Sequence, residues 1–181
     1  RRRCLWRDMK WPPRIGVPRS DQLDFFGNDD AKRLFESATQ TVARMGWQIV
    51  EVDIAAFLDA ARLLYEGPWV AERTAVIAKL LTEQPDALLP VTRTIIEGGF
   101  KGTAVDAFKA QYRLADLKRL AETTWQQVDA LLMPTTGTIY TKAEVEADPI
   151  QLNTNLGRST NFMNLLDLCG CAVPAGSPST G

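Results

Sequence analysis

Two short apolar segments, "RIGVP" at residues 14–18 and "WQIVEVD" at 47–53, are separated by a single helix-length stretch. This arrangement constrains the chain more than any other feature. Asn28-Asp29-Asp30 can cap a helix, Ala31, Leu34, Phe35, Ala38, Val42 and Met45 then recur at helical spacing, and Gly46 supplies the stop. A strand that returns through a helix of this length can lie parallel to its predecessor, which a tight turn cannot achieve. In the second segment Trp47, Ile49 and Glu51 fall on one face and Gln48, Val50 and Val52 on the other. Apolar residues on both faces predict an interior strand. The class that follows is α/β.

The remainder extends that alternation. Asp53 can cap a helix through Phe57, Leu58, Ala61 and Leu64, which Val70, Ala71, Ile77 and Leu81 continue beyond a break at Gly67-Pro68. Residues 85–102 are loop-rich, with Pro85, Pro90, Gly98, Gly99 and Gly102. Their "IEGGFKGT" lacks the order of a phosphate-binding loop. "TAVD" at 103–106 is an acidic capping box. The long helix behind it has a broad apolar face of Val105, Phe108, Tyr112, Leu117, Leu120, Trp125 and Val128. "DALLMPT" at 129–135 predicts a buried strand ended by Pro134, and a polar segment with Asp148-Pro149 follows. A last helix is predicted from about Ser159 to Gly170. The organisation expected is a basic extension over 1–13, one domain over 14–176 and a tail over 177–181.

Composition excludes some chemistry. The 181 residues suffice for one core, and with 45% hydrophobic and 24% charged residues they are ordinary for a soluble domain. There is no histidine, so neither a histidine metal site nor a histidine-based triad can form within the chain. Three cysteines, two of them in "LCGCAV", make no disulfide framework and suggest a reducing, cytoplasmic setting. No run of apolar residues is long enough to span a bilayer. No cofactor or metal is expected. Residues 1–19 hold seven basic side chains against Asp8 alone, leaving the other residues at −7 within a net charge of −1. A basic arm with Trp6 and Trp11 beside Arg7 and Lys10 suits stacking on single-stranded nucleic acid, although such a terminus is more often a solvated extension.

Several stretches taken together resemble one family. "RIGVP", "VEVD", "DALLMPT" and the asparagine-rich "TNFMNLLDLCGCAVPAG" are similar to the later half of an amidase-signature hydrolase. "LLYEGPWVAERTA" with "EADPIQLNTNLGRSTNFMNLLDLCGCAVPAG" resembles the allophanate-hydrolase branch. The resemblance covers residues 14–176. It implies a partial αβα sandwich with a mixed central sheet, and amide C–N hydrolysis by a serine nucleophile, a second serine in a cis peptide and a lysine. In that family the lysine and the Gly/Ser-rich signature precede the "RIGVP"-like strand. Here Ser20, Ser37, Ser159, Ser177 and Ser179 lie in no such setting, and Lys10 stands beside Trp11-Pro12-Pro13. No catalytic residue is therefore assigned, and the chain is expected to be inactive alone.

The same resemblance matches Tyr65 and Arg73 to the pair that holds a small anionic amide such as allophanate, the arginine facing its carboxylate. Guanidinium presents a planar fork to a carboxylate, and a phenol adds one directional hydrogen bond. The plainer reading pairs Arg73 with Glu66 or Glu72 on a solvated face and packs Tyr65 in the core. Asn153, Asn155, Asn161 and Asn164 could line a polar pocket or serve as caps and turns. The beginning with Arg and the "PAGSPSTG" end read as cuts or joins. Three roles stay open: a non-catalytic remnant keeping a small-anion site, half of a split amidase completed by a partner chain, and a structural or nucleic-acid-binding module. Uncovered sheet edges and apolar faces predict a homo-oligomer, a two-fold dimer in the simplest case.

Overall fold

The structure is a computed structural model that describes residues 11–177. β1 (Arg14–Pro18) leads through α1 (Asp29–Arg44) to β2 (Gln48–Val52), and the two strands pair in parallel from Arg14 opposite Gln48 to Pro18 opposite Val52. The Asn28 side chain accepts the Ala31 N–H at the start of α1, and Gly46 takes the left-handed conformation at φ 83° just past its end. β3 (Ala130–Leu131) pairs in parallel with Ile15 and Gly16 on the other side of β1, so the order is β2-β1-β3.

Among the described residues the sheet is wholly parallel. The antiparallel component of a mixed sheet is not among them. β2, expected inside the sheet, forms one edge of these three strands, and β1 is the middle one. Apolar residues on both faces report cover above and below a strand, which says nothing about its lateral neighbours. "DALLMPT" is extended but pairs over two residues only; Asp129 N–H donates to the Arg14 carbonyl and Leu132 N–H to that of Gly16.

α2 (Ala55–Glu66) and α3 (Trp69–Glu83) divide at Gly67-Pro68. The loop-rich stretch contains a helix, α4 (Pro90–Glu97), with proline at its first turn where a missing N–H costs nothing. α5 (Ala104–Gln127) starts at the expected capping box, Thr103 with Asp106. The polar segment holds α6 (Lys142–Ala147) and α7 (Pro149–Gly157), opened by a Thr141–Glu144 capping box and by the Asp148 side chain. The last predicted helix is reduced to α8 (Phe162–Leu165), with Asp167 at φ 55° turning the chain away.

The core lies where α2, α5 and α8 meet β2. Phe57, fully buried, contacts the rings of Phe162 and Trp125 edge-on at 5.4 and 6.0 Å. Val52, Ile54, Leu117, Ala121 and Val128 close around it. The long helix therefore buries the stripe of Ala110, Leu117, Ala121 and Thr124, while Val105, Phe108, Tyr112 and Leu120 of the predicted apolar face are exposed.

Candidate functional site

The site is organised by the break between α2 and α3. Gly67 N–H donates to the Leu63 carbonyl, and a Cβ on Gly67 would lie 2.5 Å from that oxygen. A side chain there would collide with backbone, so glycine is required by close approach. Pro68 caps α3 with no N–H to leave unsatisfied, and its carbonyl accepts the Ala71 N–H. In an unbroken helix the eight positions from Tyr65 to Arg73 would leave them roughly 80° apart in direction and about 12 Å apart in rise. Across the break the two side chains meet. The Arg73 guanidinium carbon sits 4.8 Å from the centre of the Tyr65 ring, a cation–π contact.

Neither part of the plainer reading describes this pair. Tyr65 is 50% exposed and so is not a core residue. Glu66 and Glu72 are exposed, and among the described ion pairs Arg73 is joined to neither. The described hydrogen bonds include none from the Arg73 guanidinium, so its N–H fork is available while its cationic face is held by the phenol ring. α3 is fixed behind it by Thr74, whose buried hydroxyl lies within hydrogen-bond reach of the carbonyls of Val70 and of Ile96 at the end of α4 and shares its one proton between them. A guanidinium edge of this kind has the chemistry to pair with a planar carboxylate.

The other sequence candidates separate. Asn153 donates to the Pro149 carbonyl within α7, and Asn155 accepts from Gln151 and donates to the Tyr140 hydroxyl. Asn164 is exposed. These are local bonds; the four asparagines are not brought together with Tyr65 and Arg73 by any of them. Trp11 is exposed with its ring edge-on to Trp47 at 6.3 Å, while Trp6, Arg7 and Lys10 lie outside the described residues. Among the described residues no serine hydroxyl is hydrogen-bonded to a lysine, Ser159 is buried, and no cluster of three potential metal ligands occurs. Two open depressions, of about 330 and 600 Å³, are lined by Pro85–Glu97 residues and by Phe26–Arg33 with Thr138–Glu144; neither includes Tyr65 or Arg73.

One polar network was not anticipated. At the end of the paired strands the Asp53 carboxylate accepts from Ala55 N–H, Gln22 Nε2 and the Arg19 guanidinium, while Gln22 Oε1 accepts the Ile54 N–H. These bonds, led by that from Ala55 and followed by that from Gln22, hold the Asp53 carboxyl below the usual carboxylate range. Both oxygens of the Asp53 carboxylate accept, so the network locks β2 to the turn after β1. Asp53 was expected to cap α2, but Ile54 stands at the cap without a side-chain bond and Asp53 accepts the N–H of Ala55, the first helical residue; Gln22, glutamine in a turn, carried no signal.

Comparison with known proteins gives the family. The family described as Amidase matches residues 8–181. Urea amidolyase of Saccharomyces cerevisiae is 36% identical over 169 residues, and that of Lachancea kluyveri 32%; each match covers 92% of this chain and 9% of the relative. A Kluyveromyces lactis allophanate hydrolase variant superposes with a TM-score of 0.88 at 35% identity, over 95% of this chain and 28% of that one. The K. lactis urea amidolyase superposes at 0.87 and 32%, over 93% and 10%. The chain thus corresponds to a part of these much longer proteins. On the family match, the identities and the shared α/β fold, the chain belongs to the amidase family.

Proposed function

We propose that this chain carries the substrate-carboxylate side of an allophanate-type amide-hydrolysing site, built on Tyr65 and Arg73. The observation that supports it most is the Arg73 guanidinium stacked on Tyr65 with no carboxylate of its own. Allophanate is small, planar and anionic, and an arginine fork distinguishes it from a neutral amide by charge. The urea amidolyase and allophanate hydrolase names of its relatives supply the substrate class, urea breakdown. The nucleophilic serine, its partner serine and the lysine are contributed by sequence outside these 181 residues, on the same polypeptide or on a complementary amidase half. Cys169 and Cys171, both exposed and unpaired, support a cytoplasmic setting. Among the described residues no helix is long and apolar enough to cross a membrane.

The test is calorimetric titration with malonamate, in which a CH₂ replaces the labile NH of allophanate. Binding should weaken about tenfold or more in Arg73→Lys, which keeps the charge but loses the planar fork. Equal binding by Arg73→Ala and the parent would overturn the reading. In parallel, ammonia release from allophanate should be absent for this chain alone and appear when a complementary amidase half is supplied.

A further inference from the structure

We infer that residues 69–101 form a hinged arm that carries Arg73 toward and away from Tyr65, and that a small carboxylate held by the pair keeps the arm closed. The hinge rests on the site proposed above for its ligand and adds how that site opens. The arm is built separately from the core. None of its residues belongs to the cluster around Phe57. Val70, Thr74 and Leu81 of α3 are buried, and α3 packs chiefly on α4 and on the single turn Gly98–Lys101 behind it. Outside the arm, the principal neighbour of α3 is α2, from which the break divides it. The ion pairs described for the arm stay within it, Lys79 with Glu83 and Arg93 with Asp86 and Glu97, as do the Thr74 contacts to Val70 and Ile96. A segment whose contacts are mostly its own opens as a unit more easily than a core does. Arg73 reaches across, onto the Tyr65 ring at 4.8 Å.

The two connections of the arm lie side by side. A Cβ on Gly99 would stand 2.8 Å from the Val70 carbonyl oxygen and 2.9 Å from the Ala71 Cα, so the last turn of the arm comes back to its beginning. The chain enters at Gly67-Pro68, where the helix is broken, and leaves at Gly102, where an added Cβ would meet nothing. Two adjacent connections of this kind define a hinge axis. Along α3, Arg73 is about 7.5 Å from Pro68 and Glu83 about 22 Å, so a rotation of about 20° displaces them by about 2.5 and 8 Å. Directed away from the ring, the smaller displacement takes the guanidinium beyond the roughly 6 Å over which a cation–π contact acts. A carboxylate that engages Arg73 on the arm and the Tyr65 hydroxyl on the body binds the closed form better, and that difference shifts the equilibrium.

Hydrogen exchange of the intact chain, read by mass spectrometry of its peptides, tests this. Without ligand, the amides of 69–101 should exchange together, about tenfold or more faster than those of α5 around Leu117. Phe57→Leu weakens contacts that the open arm keeps, so it should speed exchange in α5 and leave 69–101 unchanged. Tyr65→Leu should speed exchange of 69–101 by about threefold, through loss of the cation–π contact. Saturating malonamate should slow it. An arm that speeds up together with α5 in Phe57→Leu, or that ignores Tyr65→Leu, would overturn the hinge. Malonamate that binds in calorimetry yet leaves 69–101 unslowed would overturn the coupling while the site stands. A parent chain that binds no malonamate overturns the site and the coupling, and exchange of the free chain still decides the hinge.

Discussion

The Arg14 guanidinium grips the Asp129 carboxylate with two nitrogens, Nη2 to Oδ1 at 2.9 Å and Nε to Oδ2 at 3.3 Å, while Oδ2 also accepts the Arg14 backbone N–H at 2.8 Å. One side chain near the end of α5 thereby sets the register of the middle strand, and the bond to Asp129 is the leading cause that raises the Arg14 pKa. Asp129→Asn keeps the shape but loses the charge. It should lower the urea midpoint without changing the slope, since the fold stays intact. An unchanged midpoint would show that the two-residue β3 ladder holds by itself.

Phe57→Ala removes a ring that is fully buried against Phe162 and Trp125. The expected loss is about 3–5 kcal/mol, large against the stability of a domain this size, so the variant should be substantially unfolded at ambient temperature. Phe57→Leu should cost less, and thermal melts followed by tryptophan fluorescence would order the two.

Gly67→Ala tests whether the helix break builds the site. The added Cβ meets the Leu63 carbonyl at 2.5 Å, so the backbone must shift. A cost of about 1–3 kcal/mol follows from overpacking. Malonamate binding should fall with it, and more than it does in Val76→Ala, a substitution at an exposed position of α3.

Acid should destabilise the chain in a defined window. Asp53 is held low by the Ala55 N–H first, then Gln22; Asp106 and Glu144 are held low by the hydroxyl and then the N–H of Thr103 and Thr141. A carboxyl with a lower pKa folded than unfolded stabilises the fold when ionised. Its contribution is complete above the unfolded values, near 3.8 for aspartate and 4.5 for glutamate, and disappears as pH falls through the folded ones. Stability should be level down to about pH 5 and decline below it. Asp53→Asn should be less stable than the parent at neutral pH and should lose less on acidification.

The local signals in the chain were informative where a single residue has few alternatives. Asn28 and Thr103 as caps, Gly46 as a stop and Gly67-Pro68 as a break are chemical requirements, and each is where it was expected. The Thr141–Glu144 box was equally readable but lay inside a segment judged by its polarity. What periodicity could not resolve was which apolar face is used. Leu117 and Phe108 are alike in hydrophobicity, yet one is buried and the other exposed, because that depends on α2 and α8 docking from distant sequence. For the same reason β2 read as interior. As for the site, Tyr65 and Arg73 were visible by resemblance; their contact across the break depends on backbone geometry that spacing alone does not give.

The position of β1 between its two partners also sets an order of assembly. β2 is reached after a short excursion, with Arg19 only 34 residues from Asp53, whereas Asp129 is 115 residues from Arg14. Closing the longer loop costs about 1 kcal/mol more in chain entropy. The β1–α1–β2 unit can therefore form as soon as it leaves the ribosome. The opposite flank of the middle strand waits, unclaimed, until α5 has been made and has delivered β3.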